Sequence, residues 1–403
     1  MVKYMLRGPF NKAVPIIQKI ESHNHKAYFV GGCVRDLLLN RSIGDVDITT
    51  SAPPEVIQTI FEKVIPVGIK HGTVVVVHED IPYEVTTFRT EGVYSDSRHP
   101  DTVTFIDDID KDLERRDFTI NALAMDLAGN IIDLFDGKED LKKGIIRTVG
   151  DGNERFKEDP LRIIRALRFS SQLGFEIYSE TIQQMKAVQS EIESLAVERI
   201  TNEFEKLFAG KYVKNGLEYI NIIGTYQFLP IFKDNPSLFS KIPKTIQPLA
   251  SFGEVIALLH LLENNISISE WVKSWKCSNQ VKKDAKVLVE SYNYYETNGI
   301  DEWLVYTLDN RYYEGFSRIV NSIHQENTNH KDLHHMNKQL PIHSRKELAV
   351  NGSDIANIFP LLQKGPWLQK MLTDIEKAVV FRELANSKSD IKEWIKCNPP
   401  EAN

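Results

Sequence analysis

Two aspartates one residue apart, Asp45 and Asp47 in GDVDITT, follow a Gly31–Gly32 pair and an arginine, Arg35, in FVGGCVRD. Side chains two apart on a strand point the same way, so a strand here makes both carboxylates converge. Converging carboxylates repel and are costly unless a cation lies between them. Hard oxygen ligands of this kind suit Mg²⁺. Paired glycines let the backbone come close to a ligand. The helix start that follows favours anions, and Arg35 in its first turn adds a cationic clamp. Glu84 in YEVTTFR supplies a third acid from a neighbouring strand. Each piece alone is weak, since a lone Asp-x-Asp is most often an exposed face and a lone Gly-Gly most often a turn. The run of strand, Gly-Gly, helix with arginine, and strand with Asp-x-Asp occupies only residues 29–50, which is far more specific. It sets a phosphate cradle and metal ligands at one mouth, as nucleotidyl transfer with two metal ions requires.

Three further segments bear on chemistry. DLERRDFTINALA carries Arg115, Arg116 and Asn121. An arginine fork suits phosphate and sugar oxygens, and the bland alternative is surface ion pairs with Asp112 and Asp117. EDPLRIIRALRF (158–169) reads first as a helix start, with Asp159 as N-cap and Pro160 at the first helical position. Its sharper reading puts Asp159 and Arg162 on one side of the helix as a unit. The carboxylate would accept from the exocyclic amine of cytosine or adenine, and the guanidinium would donate to the ring acceptors beside it. Uracil and guanine present the opposite pattern and meet unpaired groups. Arg165 and Arg168 continue the stripe towards RNA or phosphate. VERITNEFEKLF (197–208) reads as a solvated helix with charge pairs, and His330, His334 and His335 as a surface helix rather than a metal site.

The elements that must position these groups divide the chain. β-type runs lie at 27–31, 45–50, 72–79, 83–88, 102–106 and 145–150, with helical stretches at 34–40 and 53–64 between them. From about Glu154 the pattern turns helical, at 159–174, 179–193, 198–209, 251–263, 280–293, 368–384 and 388–397. At 403 residues, 42% apolar and 26% charged, the chain is long enough for two to four packed domains and is not disordered. No apolar run is long enough to span a bilayer, and the N-terminal residues lack the pattern of a secretory signal. Cys33, Cys277 and Cys397 form neither a metal spacing nor a disulfide framework, which suits a reducing cytoplasm. A net charge of −7 excludes a general basic coat for nucleic acid but not a local basic groove. Residues 241–403 carry equal numbers of acidic and basic side chains, so RNA binding there must use patches such as WVKSWKCSNQVKKDAK (271–286).

GGCVRD…GDVDITT resembles the signature of the DNA polymerase β-like nucleotidyltransferases, specifically the bacterial class II tRNA nucleotidyltransferases. KHGTVVV, EVTTFRTEGVYSDSRHPDTV, DLERRDFTINALAMD, IIDLFDGKEDLKKGIIRTVG, EDPLRIIRALRF and VERITNEFEKLF follow in that family's order. The resemblance implies an α+β chain: a polymerase β-like domain with a small mixed sheet, then all-α domains. It implies a catalytic domain over 1–150, a nucleotide-recognition domain over 151–230, a body over 231–300 and a tRNA-binding tail over 301–403. It implies template-independent addition of C, C and A from CTP and ATP to the 3′ end of tRNA, by a cytoplasmic monomer or homodimer with two Mg²⁺ ions on Asp45 and Asp47. Glu84 would be the third catalytic acid. Gly31, Gly32, Arg35, Arg116, Asn121, Asp159, Arg162, Arg165 and Arg168 would bind the nucleotide. Arg116 would contact it directly, Asn121 would read the ribose, and Asp159 with Arg162 would serve as an amino-acid template.

The competing readings are a poly(A) polymerase, an enzyme adding only CC or only A, and a non-catalytic RNA-binding protein. PVGIKHGTVVV (66–76) resembles the CCA-adding form rather than the arginine-rich segment of bacterial poly(A) polymerases. The loop RTEGVYSDSRHP (89–100), with Asp96, Arg98 and Pro100, is one that CC-only enzymes typically lack. Ser97 departs from the family's usual glycine. The intact acids and arginines disfavour a non-catalytic protein.

Overall fold

The structure is a computed structural model and describes residues 3–92, 101–325, 327–363 and 365–400. Residues 93–98 and the named Asp96, Ser97, Arg98 and Pro100 of the expected loop lie outside the described residues. Two compact units are present, Met1–Phe239 and Ser240–Asn403. The finer divisions expected after residues 150, 230 and 300 fall inside them.

The first unit contains β1 (Ala27–Val30), β2 (Ile48–Thr50), β3 (Val64–Gly68), β4 (Thr73–His78), β5 (Ile81–Thr87), β6 (Arg89–Glu91), β7 (Val103–Phe105), β8 (Leu123–Met125), β9 (Ile131–Asp133), β10 (Ile145–Ile146) and β11 (Glu176–Ile177). Its longer helices are α1 (Pro9–Ser22), α2 (Gly32–Leu38), α3 (Pro54–Ile60), α4 (Ile109–Glu114), α5 (Gly137–Lys143), α6 (Gly152–Glu158), α7 (Leu161–Leu173), α8 (Ser179–Val188), α9 (Val197–Phe208) and α10 (Val213–Ile223). Seven strands form one sheet in the order β3-β4-β5-β2-β1-β8-β9. β2 and β5 run parallel and the other pairs antiparallel, so the sheet is mixed.

Alternation along β1 assigns the sheet's two faces. Phe29 packs edge-on against Phe10 of α1, with ring centroids 4.8 Å apart. Phe10, Ala13, Ile16, Ile17 and Ile20, spaced as one helical stripe, bury that side of α1. Tyr28 and Val30 point the other way, onto a core of Phe88, Ile109, Leu113 and Ala124 that includes the apolar side of α4. Helices therefore cover both faces, which is why the central strands are apolar on both sides.

The structure corrects several expected elements. The strand over 45–50 begins only at Ile48. Asp47 still accepts the Val30 N–H through its carbonyl, at 3.1 Å, while the next amide, Gly31, donates to Leu123 O at 3.0 Å on the β8 side. Asp45 and Asp47 sit in the segment before β2, with Val46 buried between them. The helix over 53–64 stops at Ile60, because Val64 pairs with Val76 and opens β3, a strand absent from the sequence expectations along with β8 and β9. The strand over 145–150 shrinks to Ile145–Ile146, paired with β11 outside the main sheet.

The second unit is helical: α11 (Phe252–Leu262), α12 (Ile268–Ser274), α13 (Asn279–Asn298), α14 (Glu302–Thr307), α15 (Tyr313–His324), α16 (His330–Gln339), α17 (Gly352–Ala356), α18 (Pro366–Val380) and α19 (Lys388–Cys397). Trp271 and Trp275 of the basic-aromatic stretch are buried, so its aromatics form core, while lysines such as Lys273, Lys276, Lys283 and Lys286 face solvent. Among the described residues no helix is long and apolar enough to cross a membrane.

Candidate active site

The sheet register decides where the acids go. Ile48 pairs with Val85 and Thr49 with Thr86 in parallel strands, so continuing the register by one sets Asp47 beside Glu84. Both then project on the face of Thr49, whose hydroxyl reaches Asp112 of α4 at 3.4 Å. Asp45, two residues before Asp47, is close enough for its charge to act on Asp47. Burial pushes the Asp47 carboxyl up to about 6, with Glu84 adding to the shift, Arg116 opposing it and Asp45 adding further. These acids therefore destabilise one another in the bare protein, and a divalent cation would relieve that strain. Their hard oxygens fit such an ion. Among the described residues no three His, Cys, Asp or Glu side chains converge into a closed metal cage, so substrate oxygens and water would complete any coordination.

Beside Asp47 a cavity of about 490 Å³ opens. Gly31, Gly32, Arg35, Arg116, Asn121, Asp159, Arg162, Arg165 and Arg168 all line it. Every nucleotide-binding residue expected from the sequence is thus brought to one cavity; Asp45 and Glu84 are not among its lining residues. Arg115 and Arg199 bring the arginines in the wall to seven, against three aspartates, Asp47, Asp117 and Asp159. That excess of positive charge suits a triphosphate. The helix after the glycines is only the seven residues Gly32–Leu38, so the arginines outweigh its end as a source of anion attraction.

Gly31 has φ 73°, and a Cβ there would lie 3.1 Å from Arg116 Nη1. Glycine is needed both for that backbone region and for the close approach. Asp112, fully buried, holds Arg115 at 2.8 Å and Arg116 at 3.4 Å. Burial alone would raise its carboxyl, but the two arginines outweigh it and hold it below the ordinary range. The expected split of these arginines between Asp112 and Asp117 is not found: both turn to Asp112, and Asp117 takes Arg165 instead. Among the described residues, the Arg116 Nε is buried without a hydrogen-bond partner.

A chain of polar contacts crosses the cavity wall. Arg35 Nη1 donates to Asn121 Oδ1 at 2.7 Å, Asn121 Nδ2 to Asp117 Oδ1 at 3.1 Å, and Arg165 Nε to Asp117 Oδ2 at 2.8 Å. Burial opposes the charge on Asp117, yet Arg165, Asn121 and Arg162 overcome it and hold the carboxyl at about 2. Arg168 lies over the Phe169 ring, 3.9 Å from its centroid, and pairs with Glu203 at 2.5 Å.

The Asp159–Arg162 unit is built differently from the sequence expectation. Asp159 closes α6 as its C-cap, and Pro160 is the N-cap of α7. Its Oδ1 does accept from Leu161 N at 3.1 Å, so it helps start α7. Their side chains do not pair with each other, though the Arg162 N–H donates to Asp159 O at 3.0 Å. Arg199 of α9 grips Asp159, Nη1 to Oδ1 at 3.2 Å and Nη2 to Oδ2 at 2.7 Å. Arg162 Nη1 turns to Glu158 Oε2 at 2.6 Å and to Arg155 O at 3.1 Å, and its Nη2 to Arg115 O at 3.3 Å. The α9 helix, expected to be a solvated brace, therefore sends Arg199 into the site, and its buried Glu203 pairs with Arg168. Sequence reasoning missed Arg199, Asp117 and Phe169 as lining residues. The one available signal was an arginine and a glutamate four apart on a helix, the commonest surface pattern.

Three family models match the chain: the poly A polymerase head domain over residues 27–147, a probable RNA and SrmB-binding site of polymerase A over 174–234, and a putative second domain of tRNA nucleotidyltransferase over 251–395. A CCA-adding enzyme of Oceanobacillus iheyensis is 48% identical over 400 residues, covering 99% of this chain and 100% of the relative. A CCA-adding enzyme of Anoxybacillus flavithermus is 40% identical and covers 98% of each chain. The crystal structure of the Bacillus stearothermophilus CCA-adding enzyme in complex with CTP superposes with a TM-score of 0.86 at 37% identity, over 98% of each chain.

Proposed function

The chain belongs to the CCA-adding enzymes, and on that premise we propose that it extends the 3′ end of tRNA by C, C and A, taken from CTP and ATP with release of pyrophosphate. It is a tRNA nucleotidyltransferase. The observation that carries the reading is the single cavity in which a glycine turn, seven arginines and Asp47 meet residues suited to reading a base.

Asp45 and Asp47 would hold two Mg²⁺ ions, whose chemistry when bound is to activate the attacking 3′-hydroxyl and neutralise the departing pyrophosphate. Glu84, beside Asp47 in the register, adds a third carboxylate to that edge. Gly31 and Gly32 let the backbone approach the triphosphate, and Arg35 and Arg116 offset its charge. Asn121, oriented from both sides by Arg35 and Asp117, meets the ribose. Asp159 accepts from the amine of cytosine or adenine, and Arg162 donates to the neighbouring ring acceptor. Uracil and guanine would set a carbonyl against Asp159 and a ring N–H against Arg162. Arg165 and Arg168 close the cavity towards the RNA side. In this scheme residues 1–150 carry the chemistry, 151–230 the choice of base, and 231–403 the grip on tRNA.

The test is tRNA lacking its terminal CCA, incubated with each NTP alone and in mixtures and sized on a gel. CTP alone should stop at CC, and CTP with ATP should give CCA. A long tail from ATP alone, or no extension at all, would overturn the proposal.

A further inference from the structure

The Asp159 carboxylate has about four acceptor positions, two on each oxygen. Three are filled within the protein. Oδ1 takes the Leu161 N–H at 3.1 Å and Arg199 Nη1 at 3.2 Å, and Oδ2 takes Arg199 Nη2 at 2.7 Å. The fourth, on Oδ2, has no partner among the described residues, and Asp159 lines the nucleotide cavity. Arg199 stands 40 residues away in sequence and comes from a different helix.

From this count we infer that Arg199 is a positioning residue for base selection: by gripping both Asp159 oxygens it leaves one acceptor position for the nucleobase amine. The inference rests on the CCA-adding reading and adds to it a determinant outside the EDPLR segment. A planar guanidinium fork matches a carboxylate edge to edge, so it fixes the rotation of the carboxyl group as well as its charge. A lysine in its place supplies a point charge to one oxygen and leaves the group free to turn. A rotating carboxylate can swing away from an incoming O4 or O6, and the repulsion that rejects uracil and guanine is then lost. Arg199 therefore contributes to specificity without touching the base.

The alternative is that Arg199 only ties α9 to the start of α7. The two roles separate in kinetics. Arg199→Ala and Arg199→Lys are made in the full-length protein, each alone and combined with Asp159→Ala. Then kcat/KM is measured for CTP, ATP, UTP and GTP on tRNA ending before the first C and before the A, with melting temperatures alongside. Positioning predicts that Arg199→Ala lowers the preference for CTP over UTP, and for ATP over GTP, by about 5- to 150-fold, the range of one bidentate base contact. Arg199→Lys should restore melting temperature more than it restores preference. With Asp159→Ala already present, Arg199→Ala should change the ratios by no more than about twofold, since the group it positions is gone. Unchanged ratios in both single variants with a lowered melting temperature would reduce Arg199 to a brace. An equal fall with and without Asp159 would show that it acts elsewhere. If Arg199→Ala does not fold, the Arg199→Lys ratios alone decide. A wild-type protein that shows no preference for CTP and ATP would instead refute the underlying reading, which the same four-nucleotide assay reports first.

Discussion

Replacing Asp117 with Asn keeps the side chain's shape and removes its charge. The residue is 8% exposed and accepts from Arg165 Nε, Asn121 Nδ2 and the Phe118 amide at 2.8, 3.1 and 2.8 Å. Its carboxyl titrates at about 2, against 3.8 for an ordinary aspartate. That difference corresponds to roughly 2–3 kcal/mol of folding stability at neutral pH. The sign follows from the depression: the contribution is complete above the unfolded value of 3.8 and is lost as pH falls towards about 2. Asp117→Asn should therefore lower the stability of the first unit by about 2–3 kcal/mol at pH 7. The gap to wild type should narrow once the pH drops below about 4, where the wild-type carboxylate begins to lose its advantage.

The assay needs care in its probe. All five tryptophans, Trp271, Trp275, Trp303, Trp367 and Trp394, lie in the second unit, so their fluorescence is blind to local loss of structure around Asp117. Urea unfolding followed by far-UV circular dichroism, with amide exchange mapped to peptides of residues 110–170, reports on the first unit. A stability loss below about 1 kcal/mol at pH 7 would refute the pairing argument, because breaking a buried ion pair on one side should cost more than an exposed one does. So would a gap that stays constant down to pH 3. Asn121 loses an oriented acceptor in the same variant, so KM for the nucleotide should rise with stability still adequate.

Further outcomes follow from the same geometry. Asp45→Ala and Asp47→Ala should each abolish addition of both C and A while circular dichroism stays native; near-normal turnover in either would remove the assignment of the acids. Because the Asp47 carboxyl is raised to about 6, it favours the metal-free fold below pH 4, and that advantage fades as pH rises through 6. The melting temperature without metal should therefore sag between about pH 4 and pH 6 and level off above that, and added Mg²⁺ should lift it. An equal sag in Asp47→Asn would trace the effect to another group. Gly31→Ala forces a side chain into φ 73° against Arg116 and should cost about 1–2 kcal/mol, with a raised KM for CTP and ATP; an unchanged KM would mean the turn does not approach the nucleotide. Affinity for tRNA should fall with KCl in proportion to a modest number of phosphate contacts, and a flat salt profile would contradict patchwise electrostatic binding.

What the sequence made legible was local in the chain. Gly31, Gly32, Arg35, Asp45 and Asp47 fall within 17 residues, and their chemistry can be read from type and spacing. The α+β class was equally visible, since strand-like and helix-like periods change over near residue 150. Strand β3 was hidden because Ile65, Pro66 and Val67 give no alternation: the edge strand exposes them and leans on β4 for pairing. The end of β2 at Ile48 was hidden for another reason. It is set by pairing with β1 and β5, segments distant in the chain, which no local propensity encodes. The same holds for Arg199 and Asp159, whose pairing arises only once α9 packs on α7. Ion pairs chosen by tertiary packing are the part of a site that spacing cannot supply.

That limit matters most for the arginines. The chain is acidic overall, yet seven arginines line one cavity. Left alone they would repel each other and drift with their long side chains. Each has instead a fixed protein partner: Asp36 for Arg35, Asp112 for Arg115 and Arg116, Glu158 for Arg162, Asp117 for Arg165, Glu203 for Arg168 and Asp159 for Arg199. These acids do not cancel the cavity's attraction for a triphosphate, since an arginine has five N–H donors and an acid occupies only some of them. They hold the remaining donors at set positions before any nucleotide arrives. Preorganised donors spare the reorganisation that loose side chains would undergo on binding. The chain Arg35–Asn121–Asp117–Arg165 joins α2, proposed to meet the triphosphate, to α7, proposed to read the base. On the proposed function, selection of a base and alignment of its triphosphate would share one frame, built of ion pairs that hold the cavity's arginines in place.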